Sequence, residues 1–242
     1  LHPCVFAHKK AKNEKAPTIM FFLHYDVQPV DPIELWESKP FEPNMRDGKI
    51  FARGAADNKG QSYYTMTALR AYLENKELEN LNIKVINTGK ETQTGGRLAK
   101  LKKYLDHQKF MLTYGDGLSD INIKKLLNFH NIKRKMITMT IVRPPARWGY
   151  VKTSGDNIKS FEEKNVANEG WINGGFMVIE PEVFKKFNYK NTTIFEKDIL
   201  PKVAKNKELV AYKHKNFWHC MDTLRDKIIL NDLCNNNAPW KK

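Results

Sequence analysis

Short apolar runs separated by amphipathic helical stretches recur along the chain, and few architectures accommodate that order. The runs TIMFFL (18–23), KIFAR (49–53), NIKVI (82–86), KFMLTY (109–114) and KMITMTIV (135–142) have the length and apolar content of buried strands. Further strands are predicted over 172–179 and 208–213. Between them, Asp57 and Asn58 are placed to cap a helix reaching about Asn75. Gly95 and Gly96 open a second helix with Leu98, Leu101 and Leu105 on one side. Others follow Asp120, follow Pro181, and run from Leu224 to about Leu233. Strand–helix alternation predicts an α/β fold, a mostly parallel sheet flanked by helices. In such sheets ligands bind where strands end, so chemistry is sought just after the apolar runs.

Composition narrows the partners. The formal net charge is +14 over 242 residues, but the excess is Lys spread along the chain. No compact basic run is interleaved with aromatics, so no nucleic-acid partner is expected. No apolar run approaches the roughly 20 residues that a membrane span requires, so no membrane partner is expected. The three cysteines, Cys4, Cys220 and Cys234, have no metal-pair spacing and are read as free thiols of a cytoplasmic protein. The chain begins at Leu1 rather than Met and is expected to be truncated at its start. Trp36 and Trp171 are read as packing anchors, and the histidines other than His24 as surface or core residues.

The first motif is FFLHYDVQPV, which sets His24 and Asp26 just past a strand at alternate positions, hence on one face. FARGAADNKG follows, with Asp57 at a strand-to-helix turn. Imidazole and carboxylate are zinc donors, and a second carboxylate beside the His can orient its ring. With WESKPFEP and DGKIFARG between them, residues 1–86 resemble the aminoacylase/dipeptidase family of two-zinc metallopeptidases. That resemblance implies zinc at His24 and Asp57, with Asp26 in support. It also calls for a Glu-Glu pair after the next strand, where this chain has Asn87-Thr88-Gly89. A dinuclear site is therefore expected to be incomplete and hydrolysis absent.

The second series begins at residue 87. NTGKETQTGGRL joins a Gly- and Thr-rich turn to a helix start and Arg97, a setting in which backbone amides can receive phosphate oxygens. FMLTYGDGLSDINI puts Asp116 between two glycines after a strand, and WINGGF carries Asn173, Gly174 and Gly175. FWHCMDTLRDK carries Asp222 ahead of a helix. Two carboxylates suit Mg²⁺, which takes its remaining oxygens from substrate phosphates. Together with PPARWG, FEEK and the terminal APWK, these strings closely resemble the bacterial glucose-1-phosphate cytidylyltransferases over residues 87–242.

The resemblance implies a nucleotidyltransferase-like (Rossmann-like) fold that joins CTP and glucose 1-phosphate into CDP-glucose and pyrophosphate. By carry-over, Asp116 and Asp222 bind Mg²⁺. Thr92, Arg97 and Gly115 contact the nucleotide, and Lys164, Asn173 and Gly174 the sugar phosphate. The family is oligomeric, so a homo-oligomer is implied. The family also opens with a Gly-rich loop bearing Thr-Arg, then Lys-Pro, and nothing in residues 1–86 matches it. Two segments are thus expected, 1–86 metallopeptidase-like and 87–242 transferase-like, joined at the end of a strand both would share. A join in register would let one continuous sheet form. Loss of the loop's donors and cations implies slowed turnover.

Overall fold

A computed structural model describes residues 5–13, 15–25, 27, 29–74, 82–88, 92–144, 150–162 and 170–241, with residues 57, 87, 150–153, 161, 162 and 224 described by backbone alone. The chain divides into two compact units. One comprises Leu1–Lys100 with Tyr189–Phe195; the other comprises Leu101–Asn188 with Glu196–Lys242. Among the described residues, no helix is long and apolar enough to cross a membrane.

In the first unit, β1 (Phe6–Lys9), β2 (Thr18–Leu23) and β5 (Asn82–Asn87) form a sheet in the order β1-β5-β2. β2 runs parallel to β5 with Leu23 opposite Asn87, and β1 runs antiparallel to it. The hairpin of β3 (Asn44–Arg46) and β4 (Lys49–Phe51) turns at Asp47-Gly48, both with positive φ, as a twisted two-residue turn requires. A π-helical turn, Ala55–Gly60, leads into α1 (Gln61–Glu74). After β5 come α2 (Thr94–Lys100) and, in the second unit, α3 (Lys102–Leu105), so the single helix expected to Asp106 breaks at Leu101.

The second unit is built on a four-stranded sheet. Its strands are β6 (Phe110–Leu112), β8 (Ile137–Val142), β11 (Ile172–Ile179) and β12 (Leu209–Lys213), in the order β12-β8-β11-β6. β8 and β11 are central, and Ile137, Val142, Met177, Val178 and Ile179 are almost wholly buried. α4 (Ile123–Lys133) packs on them, with Ile121, Leu126 and Val178 forming a cluster against Leu127, Phe176 and Tyr212. Asn122 caps α4 by accepting from the Lys125 amide at 2.9 Å. Inside, His130 bridges Thr138 (2.8 Å) and Glu180 (3.0 Å), so it is a core clamp. Two short pairs complete the unit: β7 (Gly117–Ser119) with β13 (Trp218–Cys220), and β9 (Tyr150–Ser154) with β10 (Asn157–Glu162). Helices α5 (Val183–Lys186), α6 (Leu200–Lys205) and α7 (Leu224–Asn236) flank them.

The α/β class expected from the alternation is what the chain adopts. The sheets are mixed, where mostly parallel pairing was expected. β2–β5 and β8–β12 are parallel, but β11 is antiparallel to both its neighbours because the β9–β10 hairpin, rather than a crossover helix, leads into it. Among the described residues, no sheet joins strands from both sides of residue 87 either. β5 carries β1 on one edge and β2 on the other, so neither edge is open to a strand of the second sheet. Among the described residues, the first unit's buried apolar side chains include Ile83, Ile86, Leu98 and Phe195, and α1 buries none of its described side chains.

α7 starts two residues after Asp222, and its cap, Thr223, is the residue next to that carboxylate. Thr223 accepts from the Asp226 amide at 3.2 Å, and the Asp226 carboxylate accepts from the Thr223 amide at 2.9 Å and its hydroxyl at 2.7 Å. Buried His219 meets the other Asp226 oxygen at 3.0 Å. The Thr223 hydroxyl first, then His219, holds the Asp226 carboxyl below its ordinary range against the opposing effect of burial. A carboxyl depressed in the fold contributes stability that is present above its unfolded value and is lost as pH falls through the folded one. Thr223→Ala is expected to cost about 1 kcal/mol in chemical denaturation. Asp226→Asn is expected to flatten the fall in melting temperature below about pH 4; an unchanged acid limb in that variant would contradict the assignment.

Candidate active site

The site is assembled where β6 ends. Thr113, Tyr114, Gly115 and Asp116 lead from β6 into β7, and β7 pairs antiparallel with β13, Gly117 opposite Cys220. The Met221 amide donates to the Asp116 carbonyl at 2.9 Å, extending the ladder by one residue. Asp116 thus lies opposite Met221, the residue before Asp222, and both carboxylates are exposed. Between them lies Cys220, whose thiol donates to Asp222 Oδ2 at 3.0 Å. Burial pushes that thiol up to about 12, reinforced by Asp222, Asp226 and Asp116, so it stays protonated.

Such crowding of negative charge is what a cation relieves. Among the described residues, no group of three His, Cys, Asp or Glu side chains is placed to hold a metal ion. Two carboxylates with open space beyond them are a donor set that fits Mg²⁺, which keeps water and substrate phosphate oxygens as its other ligands. They do not fit zinc, which in structural sites is enclosed by nitrogen and sulfur donors.

A second arm comes from β11. Its register shifts between Asn173 and Met177, a bulge carried by Gly174 and Gly175. Gly175 has φ +82°, and a Cβ there would lie 2.7 Å from Tyr114 Cδ2. Gly174 is buried, and its carbonyl accepts from Trp218 Nε1 at 2.9 Å. The bulge turns Asn173 toward Tyr114: its Nδ2 donates to the phenol at 3.4 Å while its Oδ1 accepts from the Gly175 amide at 2.9 Å. The Tyr114 hydroxyl donates to Glu196 at 2.5 Å. Burial, then Glu196, then the charge of Asp116 raise the phenol well above its ordinary range, so it remains a donor. Asp116, Asp222, Gly115, Asn173 and Gly174 are thus brought together in one unit.

Tyr114, Glu196 and Cys220 were missed by the sequence reading. Tyr114 abuts the Gly-Asp-Gly string, and Cys220 alternates with Asp222, so both had a local signal. Glu196 is far away in sequence and had none.

Thr92 and Arg97 lie in the first unit. Thr92 is buried, its hydroxyl donating to the Thr88 carbonyl at 3.2 Å and accepting from Lys100 at 2.8 Å. Arg97 Nη1 donates to the Thr88 hydroxyl at 2.8 Å. The amides of Gly95 and Gly96 both donate to the Thr193 carbonyl, at 2.9 and 3.1 Å, so this turn spends on its own chain the donors expected to receive phosphate. A Cβ on Gly96 would meet the Asn191 carbonyl oxygen at 2.4 Å, which makes close backbone packing the role of that glycine.

His24 follows β2 and is half-buried, and the parallel register sets it beside the end of β5, which buried Thr88 follows. Asp57 lies in the π-helical turn with its side chain outside the described residues, and Asp26 and Lys164 also lie outside them.

Comparison with known proteins gives two matches that overlap along the chain. Peptidase family M20/M25/M40 matches residues 20–212. A succinyl-diaminopimelate desuccinylase of Nitrosospira multiformis is 39% identical over 80 residues, 33% of this chain and 21% of that protein. A glucose-1-phosphate cytidylyltransferase of Salmonella typhi is 38% identical over 180 residues, 74% of this chain and 70% of that protein. Among solved structures, a proposed glucose-1-phosphate thymidylyltransferase from Bacillus anthracis superposes with a TM-score of 0.53 at 15% identity, over 71% of this chain and 72% of that one, a likeness of fold. With its carboxylate pair and glycine bulge on the transferase side and its HYD and GAAD motifs on the other, the chain belongs both to the glucose-1-phosphate cytidylyltransferases and to Peptidase family M20/M25/M40.

Proposed function

We propose that the second unit is a sugar-nucleotide-forming site that joins CTP and glucose 1-phosphate into CDP-glucose and pyrophosphate. The observation that supports this reading is the pairing of β7 with β13, which sets the backbone of Asp116 against that of Met221, next to Asp222. A Mg²⁺ ion held there would neutralise triphosphate charge. A sugar-phosphate oxygen then forms a bond to the α-phosphorus as the bond to pyrophosphate breaks, and little covalent chemistry falls to the protein. The chain's contribution is placement. The bare backbone of Gly115 admits the nucleotide, and Asn173, fixed by Gly175 and Tyr114, presents its amide to the sugar phosphate.

In this reading, residues 1–86 stand where the family has its Gly-rich loop, and turnover is lowered by about a hundredfold or more for want of those donors. The Asn87-Thr88-Gly89 string that follows β5 holds no Glu-Glu pair, which supports reading the same segment as lacking hydrolysis of its own. The test is an assay of pyrophosphate release from CTP, glucose 1-phosphate and Mg²⁺. Slow, Mg²⁺-dependent release that needs both substrates is expected. No release, together with no CTP binding by calorimetry, would overturn the reading.

A further inference from the structure

The sheet of the first unit ends on both sides in an open strand. Among the described residues, β5 lies between β1 and β2, and neither outer strand pairs with a further one. The two edges differ in chemistry. β1 is 4 residues long, holds His8 and Lys9, and runs on into Lys10 and Lys12. Lysines on an edge keep another strand away. β2 is 6 residues long, and Thr18–Leu23 holds no charge and no proline. An uncharged, apolar edge strand presents a row of N–H and carbonyl groups that a further strand can pair with.

Thr18, Met20 and Phe22 supply that row. The Asn82 amide donates to the Pro17 carbonyl at 2.9 Å, so residue 17 addresses β5. In a parallel ladder every second residue addresses the same neighbour, so Ile19 and Phe21 address β5 as well. The N–H and carbonyl groups of Thr18, Met20 and Phe22 therefore point to the open edge. A two-fold axis normal to the sheet at Met20 sets this row against a copy of itself. Met20 then faces Met20, and Thr18 faces Phe22, so every donor on the row meets an acceptor. On the opposite face of the sheet Ile19 meets Phe21, a β-branched and aromatic pair of the kind that stabilises neighbouring strands. Charge favours the same place. The chain carries a formal net charge of +14, so two copies repel over much of their surface, and β2 adds nothing to that repulsion.

We propose that the open edge of β2 is a self-association surface, where two copies of this chain pair their β2 strands antiparallel about Met20 and join their sheets into one. Ile19 and Phe21 lie opposite Ile83 and Val85, which line a groove with Met66, Leu69 and Leu73 of α1. The two-fold axis leaves both copies of α1 on that face of the joined sheet, and Tyr64, Met66 and Tyr72 of α1 are exposed. A pair of 6-residue strands covers less than the roughly 800 Å² per partner of a standard stable complex. The dimer is therefore of modest affinity, with a Kd on the order of tens of micromolar.

The test is sedimentation velocity of the full chain from about 1 to about 200 µM, without CTP or metal. A reversible monomer–dimer equilibrium is expected, and it tightens as salt is raised, because screening lowers the repulsion between two basic copies. Met20→Lys sets two like charges directly opposite each other and is expected to weaken the dimer by about tenfold or more. Met20→Pro deletes the central outward N–H and is expected to abolish dimerisation. The monomer keeps its circular dichroism, since the β2–β5 ladder does not use that N–H. His8→Lys, on the other edge, is expected to leave the dissociation constant within about twofold. Oxidation with copper phenanthroline reads the register. Met20→Cys is expected to cross-link two copies beyond the level of the unsubstituted chain, because paired residues have Cα atoms about 5.5 Å apart. Thr18→Cys is not, because the same register separates the two Thr18 positions by about 13 Å. A chain that stays monomeric throughout would overturn the proposal and leave the edge to a foreign strand. So would a dimer indifferent to Met20→Lys and Met20→Pro, a dimer that weakens with salt, or equal cross-linking at the two positions. These outcomes stand whether or not the transferase assay succeeds.

Discussion

Asp116→Asn and Asp222→Asn are each expected to lower Mg²⁺-dependent pyrophosphate release by about a hundredfold to a thousandfold, with the double variant no worse than the poorer single one. Each change removes one anionic oxygen donor and leaves the local fold in place. Asp116 holds its position through the carbonyl that accepts from Met221, which the substitution keeps. Asp222 accepts from Cys220, a bond that an amide oxygen also accepts. The pair acts as a unit, so losses do not add, as is general for groups that serve one charge. Steady-state kinetics against Mg²⁺ concentration would check this. Additive losses, or a variant rescued by no amount of metal yet still binding Mg²⁺ normally, would argue for independent roles.

Gly175→Ala is expected to destabilise the second unit by about 2–4 kcal/mol. Two effects combine. At φ +82° an L-residue carries the left-handed penalty of about 1–2 kcal/mol. The new methyl would also sit 2.7 Å from the Tyr114 ring. That ring cannot swing aside cheaply, because its hydroxyl is tied to Glu196 and receives Asn173. The expected readout is a lowered denaturation midpoint together with impaired activity, since displacing Tyr114 also displaces Asn173. By contrast, Gly115 has no atom within 4 Å of an added Cβ, so Gly115→Ala is expected to leave stability almost unchanged. Equal stability losses at the two glycines would contradict this account of the bulge.

Much of the fold was legible because the strong strands are long and apolar. Residues 18–23 and 172–179 were read with the bounds they have, and 82–86 fell one residue short. β7 and β13 were not legible. Three residues each, they are strands only because they pair with each other, and no local pattern announces a partner so distant. That pairing is what sets the backbone of Asp116 against Met221, next to Asp222, so resemblance named the two residues while the strand pairing relates their segments. The Thr-Gly-Gly turn went the other way. Its composition suits phosphate, but the carbonyls of Asn191 and Thr193 occupy the space and the donors, and nothing in the local sequence foretells a segment returning from residue 190. Trp171, expected to be a packing anchor, is instead half-buried beneath the cations of Arg143 and Lys213.

The two families meet unequally in this chain. The first unit holds β2, β5 and the turn at Asp57, but among its described residues buries few apolar side chains, and no Glu-Glu pair stands at Asn87-Thr88-Gly89. The transferase-like unit keeps the main core, the carboxylate pair and the bulge.

The most direct measurement is paramagnetic resonance of Mn²⁺, standing in for Mg²⁺, titrated into the full chain with CTP present. The account predicts a protein-bound Mn²⁺ signal at one equivalent that is lost in both Asp116→Asn and Asp222→Asn but kept in Asp57→Asn. A bound signal that survives both carboxylate changes, or that disappears with Asp57, would contradict it.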